Sequence, residues 1–297
     1  MESEMLQRLD QARALDCGPA LQRLMRRPVR AMAKKLLQPL YRTDRISFRL
    51  PVPLFWGEKM TVLMPEGLIY LRHGYYEEGL TKVLLRMITK SMTFIDIGAH
   101  FGYFTLLASH LVGDSGQVHA FEPIPRTFRI LSRNAARKKN VTANQCAVFS
   151  QTTSLEMVDL GPRFAGYNSF IAPRLDPQSA ASTKTKKVRV SAITLDQYTR
   201  DWEVRPLFIK IDAESAESEI LKGMQQTLKR LRPILAFEVG DFELEGAPQS
   251  ADLIRQVVKQ GYTAYSLDDG ALAPHQLQPT YRPGTIIALP PDCSRDH

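Results

Sequence analysis

Residues 93–108 read TFIDIGAHFGYFTLLA, and few architectures accommodate such a run. Thr93, Phe94, Ile95 and Ile97 are β-branched or aromatic, the composition of a buried strand, and Asp96 is the one exception. Beyond Gly102, the residues Phe104, Leu107, Ala108 and Leu111 recur at helical spacing. The segment is therefore a strand, a tight glycine turn and a helix. In an open α/β sheet, such a turn at the carboxyl end of a strand is where ligands bind.

The alternation continues along the chain. QVHAFEP (117–123) reads as a second strand, residues 128–138 as a helix and residues 141–148 as a third strand. SLEMVDL and KVRVSAI read as strands around a polar insert, DPQSAASTKTKK, whose composition is that of a loop. PLFIKIDAE (206–214) is an apolar strand that ends in acids. The helix ESEILKGMQQTLKRL and the strand PILAFEV follow it. A helix over 251–260 and two late strands, YTAYSL and GTIIAL, complete the pattern, the last two as a hairpin. Upstream, residues 48–71 are strand-like but interrupted by prolines and glycines, and RHGYYEEGL leads into a helix over 81–88. This alternation predicts an α/β fold with a mostly parallel sheet and helices on both faces.

The net charge of +8 is concentrated. Residues 20–49 hold nine Lys or Arg against one acid, Asp44, which accounts for the whole excess. A nucleic-acid partner is therefore not expected for the protein as a whole. In the same stretch Leu21, Leu24, Met25, Val29, Met32, Leu36 and Leu40 recur at helical spacing. This is a basic amphipathic helix that either packs on the main domain or makes peripheral contact with an anionic membrane. The expected division is a helical extension over 1–45, lead-in strands and a helix over 46–90, and a ligand-binding domain over 91–297. No apolar run is long enough to span a membrane, the start of the chain is unlike a signal peptide, and Cys17, Cys146 and Cys293 form no pair or zinc spacing. A cytoplasmic location is expected, with contact at the inner membrane surface through 20–49 as the variant. Oligomeric state is not legible.

The turn D-I-G-A-H-F-G is not G-x-G-x-x-G, because His100 stands where the second glycine of a dinucleotide fingerprint lies. No Gly-Lys-Ser/Thr follows, which excludes a phosphate loop. An acid at the strand end, Asp96, repels phosphate and attracts a cation such as the ammonium and sulfonium of S-adenosylmethionine. The next strand ends in Glu122, placed to accept both ribose hydroxyls of an adenosine. An NAD-dependent oxidoreductase uses the same device, so that alternative stays open. So does a non-catalytic interaction protein with a degenerate pocket.

FIDIGAHFGYFTLLA, VHAFEPIPRTFRILSRN, SAITLDQY and FIKIDAESAESEILKGM followed by RPILAFEV resemble, in that order, the FkbM family of S-adenosylmethionine-dependent methyltransferases. The resemblance covers roughly residues 74–239. It implies a Rossmann-like class I methyltransferase fold. The activity implied is methyl transfer from S-adenosylmethionine to a hydroxyl oxygen of a small-molecule or glycan acceptor, such as a sugar, a glycolipid or a secondary metabolite. Two positions depart from the family pattern. His100 stands where Asn is usual, and Ser215 stands where Gly is usual, a change that could narrow the site.

The expected donor-binding residues are Glu77, Asp96, Gly98, His100, Gly102, Glu122 and Ala147. Asp96 would stabilise the methionine ammonium, Glu77 would reach the donor's amino-acid end, and Ala147 would line the adenine pocket. Alignment of a hydroxyl and acceptance of its proton need a carboxylate. Glu214 is the first choice as base, with Asp212 and Glu238 as the other catalytic candidates. Glu217, one helical turn on, suits a helix start. His119, inside a strand, reads as a satisfied core histidine. Tyr167, Asn168 and Ser169 are candidates for the acceptor edge. Asp212, Glu214 and Glu238 could offer oxygens to Mg²⁺, but no dedicated ligand loop accompanies them, and no metal is expected.

Overall fold

The strand expected at residue 93 lies at the centre of the molecule. The computed structural model describes residues 2–15, 47–161, 185–241 and 249–291. In it β3 (Thr93–Ile97) is flanked by β4 (Gln117–Phe121) and β9 (Phe208–Ile211), with β5 (Val141–Asn144) beyond β4 and β10 (Ile234–Val239) beyond β9, all parallel. β13 (Gly284–Leu289) runs antiparallel to β10, β11 (Thr263–Asp268) antiparallel to β13, and β12 (Ala271–Pro274) antiparallel to β11. The eight-stranded order is β12-β11-β13-β10-β9-β3-β4-β5. The two late strands do pair, but not as a simple hairpin: β12 lies between them in sequence, and β13 inserts between β11 and β10.

Side-chain alternation divides the sheet into two faces. Phe94 and Phe208 stack with ring centres 5.5 Å apart on one face, while Ile95, Ile97, Ile209 and Ile211 join the core on the other. The first face is covered by α3 (Glu78–Met87), α4 (Tyr103–Val112) and α5 (Pro125–Ala135). The second is covered by α6 (Leu195–Asp201), α7 (Glu217–Lys222), α8 (Gln225–Leu231) and α9 (Ser250–Val258). Full burial of a side chain of this size contributes about 1.5–3 kcal/mol, so this alternation drives the sheet together.

Ahead of the sheet, β1 (Phe48–Pro53) and β2 (Lys59–Met64) form an antiparallel hairpin, followed by α2 (Leu68–His73). Asn134 of α5 stitches the hairpin to the glycine turn. Its Oδ1 accepts from the Thr61 N–H at 2.8 Å, and its Nδ2 donates to the carbonyls of Thr61 and Phe101, each at 2.8 Å. At the start of the chain, α1 (Glu2–Ala14) is built into the main core rather than standing apart as an extension. Met5 and Leu9 are buried in it, and Arg13 reaches Glu78 at 3.0 Å. The basic helix expected over 20–49 lies for the most part outside the described residues. So do most of the polar insert and Tyr167, Asn168 and Ser169.

Two expected elements divide. Residues 141–148 form β5 in the main sheet and then β6 (Ala147–Val148), which pairs with β8 (Lys186–Ile193) in a second sheet completed by β7 (Thr153–Asp159). The helix expected over 217–231 divides into α7 and α8 at Gly223, where a Cβ would lie 2.0 Å from the Phe149 carbonyl oxygen. Backbone from the second sheet presses on the helix there.

Candidate donor and acceptor site

The site starts from a register. Asp96 of β3 and Lys210 of β9 are direct partners across parallel strands, so their side chains leave the sheet side by side on the α4 face. Both are buried in an otherwise apolar layer, which is costly unless they satisfy each other. Lys210 Nζ lies 3.5 Å from Asp96 Oδ1 and 3.2 Å from Asp212 Oδ2, and it donates to the Gly98 carbonyl at 3.1 Å. Asp96 Oδ2 accepts from the Thr105 hydroxyl at 2.6 Å. Burial pulls the Lys210 ammonium down, but Asp212, Asp96 and Glu77 outweigh it and hold the group above its ordinary range, so it stays charged. Asp96 is fully buried; its Oδ2 is taken by Thr105, while Oδ1 has the Lys210 ammonium at 3.5 Å but no hydrogen-bond partner among the described residues. Lys210 was not among the expected site residues, although a lysine inside FIKI carried the signal.

The turn beyond β3 is shaped by its neighbours. Gly98 has φ +75°, and a Cβ there would lie 1.7 Å from the Asp212 carbonyl oxygen. This glycine therefore lets β3 pass β9, and Gly102, whose Cβ would sit 2.8 Å from Leu131, lets α4 approach α5. His100 adopts φ +51°, a left-handed conformation that Asn, Asp and His enter more readily than most side chains. The N–H of His100 donates to Glu122 Oε2 at 3.1 Å, and the N–H of Ile124 donates to Oε1 at 3.0 Å. Burial pushes the Glu122 carboxyl up to about 7, against the opposing pull of His100 and these N–H groups. Each oxygen keeps a lone pair for a further donor. The imidazole Nε2 of His100 lies 3.4 Å from Glu66 Oε2, a residue not expected at the site. Ala147 sits half-buried in the second sheet's core, packed with a cluster that includes Ile124.

The carboxylates converge at the ends of β9 and β10. One oxygen each of Asp212, Glu214 and Glu238 lies within 4.8 Å of the other two. Glu77, in the α2–α3 link, joins them. Burial and the repulsion of Asp212 push its carboxyl up to about 7, with Lys210 opposing. The backbone after Asp212 turns sharply, with φ +51° at Glu214 and +80° at Ser215. The second value is one that glycine adopts without strain, a backbone reason for a glycine where Ser215 stands. Glu217 braces this turn, its Oε1 accepting from the Ala213 N–H at 2.9 Å. His119 is the core histidine expected, 2.8 Å from the Tyr198 hydroxyl.

A cleft of about 880 Å³ opens beside Glu77 and Glu238, and Ser266, His275, Tyr281 and Arg282 also line it. Tyr281 OH accepts from the Gln278 N–H at 2.9 Å and lies 2.8 Å from His275 Nε2; Nδ1 of the same ring lies 2.7 Å from the Ser266 hydroxyl. These polar groups are pre-ordered in a wall that also carries Leu80, Val239, Leu267 and Ile286, a mixed lining that suits a ligand with both hydroxyls and apolar faces.

The family model described as the methyltransferase FkbM domain matches residues 96–264, more than half of the 297 residues. The chain belongs to the FkbM methyltransferase family. Its methyl donor is S-adenosylmethionine, and the dinucleotide oxidoreductase is set aside. The hexuronic acid methyltransferase AglP of Haloferax volcanii is 25% identical over 187 residues, which are 61% of this chain and 70% of that protein. Among solved structures, methyltransferase FkbM from Methylobacillus flagellatus KT aligns at 15% identity and a TM-score of 0.43, over 74% of this chain and 46% of its own. This chain thus spans less than half of that protein. Aeropyrum pernix fibrillarin with natively bound S-adenosyl-L-methionine aligns at 10% identity and a TM-score of 0.41, over 68% of this chain and 67% of its own. The FkbM assignment rests on the domain match. Among the described residues, no helix is long and apolar enough to cross a membrane.

The residues present fit a cationic donor. Four carboxylates, Glu77, Asp212, Glu214 and Glu238, gather near the single ammonium of Lys210, an excess of negative charge that favours a ligand carrying positive charge.

Proposed function

We propose that this FkbM methyltransferase methylates a hydroxyl oxygen of a sugar or a similarly hydroxylated acceptor, with Glu214 as the base. The observation that carries the reading is the convergence of Asp212, Glu214 and Glu238, the last of which also lines the cleft. When bound, S-adenosylmethionine supplies a methyl group on a positively charged sulfur, already activated for displacement. Glu122 would accept the ribose hydroxyls on its remaining lone pairs. Glu77 and Asp212 would hold the donor's ammonium, with Asp96 behind them fixing Lys210. The turn from Gly98 to Gly102 and Ala147 would border the donor. Glu214 takes the single proton of the attacking hydroxyl, while Asp212 and Glu238 accept from neighbouring hydroxyls of the acceptor and so keep the attacking one in line.

The charge of the site favours a hydroxyl over a carboxylate acceptor. Acids clustered at the reaction centre repel a second carboxylate, and a carboxylate acceptor would need no base. The name of the Haloferax relative points to an acidic sugar, and Arg282, which lines the same cleft as Glu238, suits the carboxylate of such a ring while a hydroxyl faces Glu214. The test is mass spectrometry of a panel of neutral and acidic glycosides incubated with enzyme and S-adenosylmethionine. The expected product gains one methylene and resists alkaline hydrolysis, as an ether does. A product that loses its methyl group in alkali is an ester and would overturn the hydroxyl reading.

A further inference from the structure

We propose that Glu66, from the N-terminal hairpin outside the matched domain, is a positioning residue of the donor site: it holds His100 as an imidazolium, which keeps Glu122 ionised for the donor's ribose. This rests on the reading of Glu122 as the ribose ligand. The geometry is a short chain of alternating charge. Glu66 follows β2 and places Oε2 3.4 Å from His100 Nε2, while the His100 backbone N–H donates to Glu122 Oε2 at 3.1 Å. The Glu66 and His100 side chains are only 14% and 21% exposed, so the pair is largely shielded from water. Asn134 fixes the distance between the two elements by binding Thr61 of β2 and Phe101, the residue next to His100. The φ of +51° at His100 holds its backbone N–H toward Glu122, while its ring faces Glu66.

The carboxylates that face this histidine act in the same sense, with Lys210 behind Asp212 as the cation of the neighbourhood. Burial alone pulls the imidazole down. Glu66 from the β2–α2 turn, Glu122 from the end of β4 and Asp212 from the end of β9 outweigh that pull and hold the ring above its ordinary range. His100 in turn lowers Glu122, as Lys210 does from β9, against the burial that pushes it up to about 7. A carboxylate that accepts two ribose hydroxyls must be ionised. Donor affinity is therefore lost as pH falls through Glu122's value near 7, and the imidazolium keeps that fall from moving to higher pH. Above that value Glu122 is ionised whatever the state of His100, so the profile is a single step whose position Glu66 sets through His100.

The test is calorimetric titration of the full chain with S-adenosylmethionine across pH, together with NMR titration of the imidazole. His100→Asn identifies the His100 resonance. Glu66→Gln is expected to remove the His100 proton near neutral pH, move the step in donor affinity to higher pH, and weaken donor binding about 3–10-fold at pH 7. In a His100→Asn background, Glu66→Gln should then change donor affinity little, because the linking cation is gone. If Glu122→Gln leaves affinity unchanged, the ribose reading fails. If Glu122→Gln weakens binding while Glu66→Gln moves neither the pH step nor the imidazole titration, the positioning role fails by itself. Thermal melting of Glu66→Gln separates both results from loss of the fold, and the nearly isosteric change should melt within a few degrees of the wild type.

Discussion

Lys210→Met tests whether one buried ammonium organises the site. The substitution keeps the length and apolar stem of the side chain and removes the charge that faces Asp96, Asp212 and the Gly98 carbonyl. Breaking a buried pair on one side costs about 3–5 kcal/mol. The lower end applies, because the Asp212 side chain is 27% exposed and water can screen it, whereas Asp96 is fully buried and keeps only Thr105. At roughly 2.1 cal/mol/K per residue, about 3 kcal/mol lowers the melting temperature of this chain by about 5 °C. The folded value of Lys210 is raised, so its contribution is complete below the unfolded value of roughly 10.4 and is lost only as pH rises through the folded one. Glu77, whose carboxyl near 7 Lys210 holds down, ionises in this range, so the loss in the variant grows as pH rises through about 7. Calorimetric melts of the variant and of Lys210→Met with Asp96→Asn measure it. The double variant should recover part of the loss, since the orphaned charge is gone. An unchanged melting temperature for Lys210→Met at neutral pH would refute the counter-ion argument.

Ser215→Gly relieves a side chain held at φ +80° and should raise stability by up to about 1 kcal/mol, read as a small rise in melting temperature with methyl transfer retained. Gly98→Ala places a Cβ 1.7 Å from the Asp212 carbonyl oxygen, so β3 and β9 must separate; a loss of about 3 kcal/mol or more, with loss of donor binding by calorimetry, is expected. Chelation with EDTA should leave methyl transfer unchanged. Activity lost to EDTA and restored by Mg²⁺ would turn Asp212, Glu214 and Glu238 into metal ligands.

The parallel sheet was legible because its strands are short apolar runs between helical patterns, and Asp96, Glu122 and Asp212 were legible because they are acids at the ends of such runs. What escaped depends on contacts between distant segments. The break at Gly223 comes from the Phe149 carbonyl, far away in sequence. The packing of α1 was hidden because its buried stripe, Met5, Leu9 and Ala12, is narrow and lies among charges. Lys210 could have been inferred from the cost of a lysine in a buried strand, but its partner is set by register, which periodicity does not give. Glu66 had no local signal at all: it follows a hairpin outside the family motifs, and only the fold of β2 against α5 brings it to His100. The role expected of Gly98 was backbone approach to a ligand; the close passage of the Asp212 carbonyl is a second demand on that glycine, set by register and not legible in the sequence.

The central claim is that the acids at the ends of β9 and β10 take a proton from a hydroxyl acceptor during methyl transfer. Single-turnover transfer of labelled methyl from saturating S-adenosylmethionine to a glycoside acceptor, compared between wild type and Glu214→Gln, tests it most directly. The account predicts unchanged donor affinity and a rate lower by about 10²–10⁴-fold in the variant, the usual loss when a general base is removed. An undiminished rate in Glu214→Gln, with the ether product still formed, would contradict it.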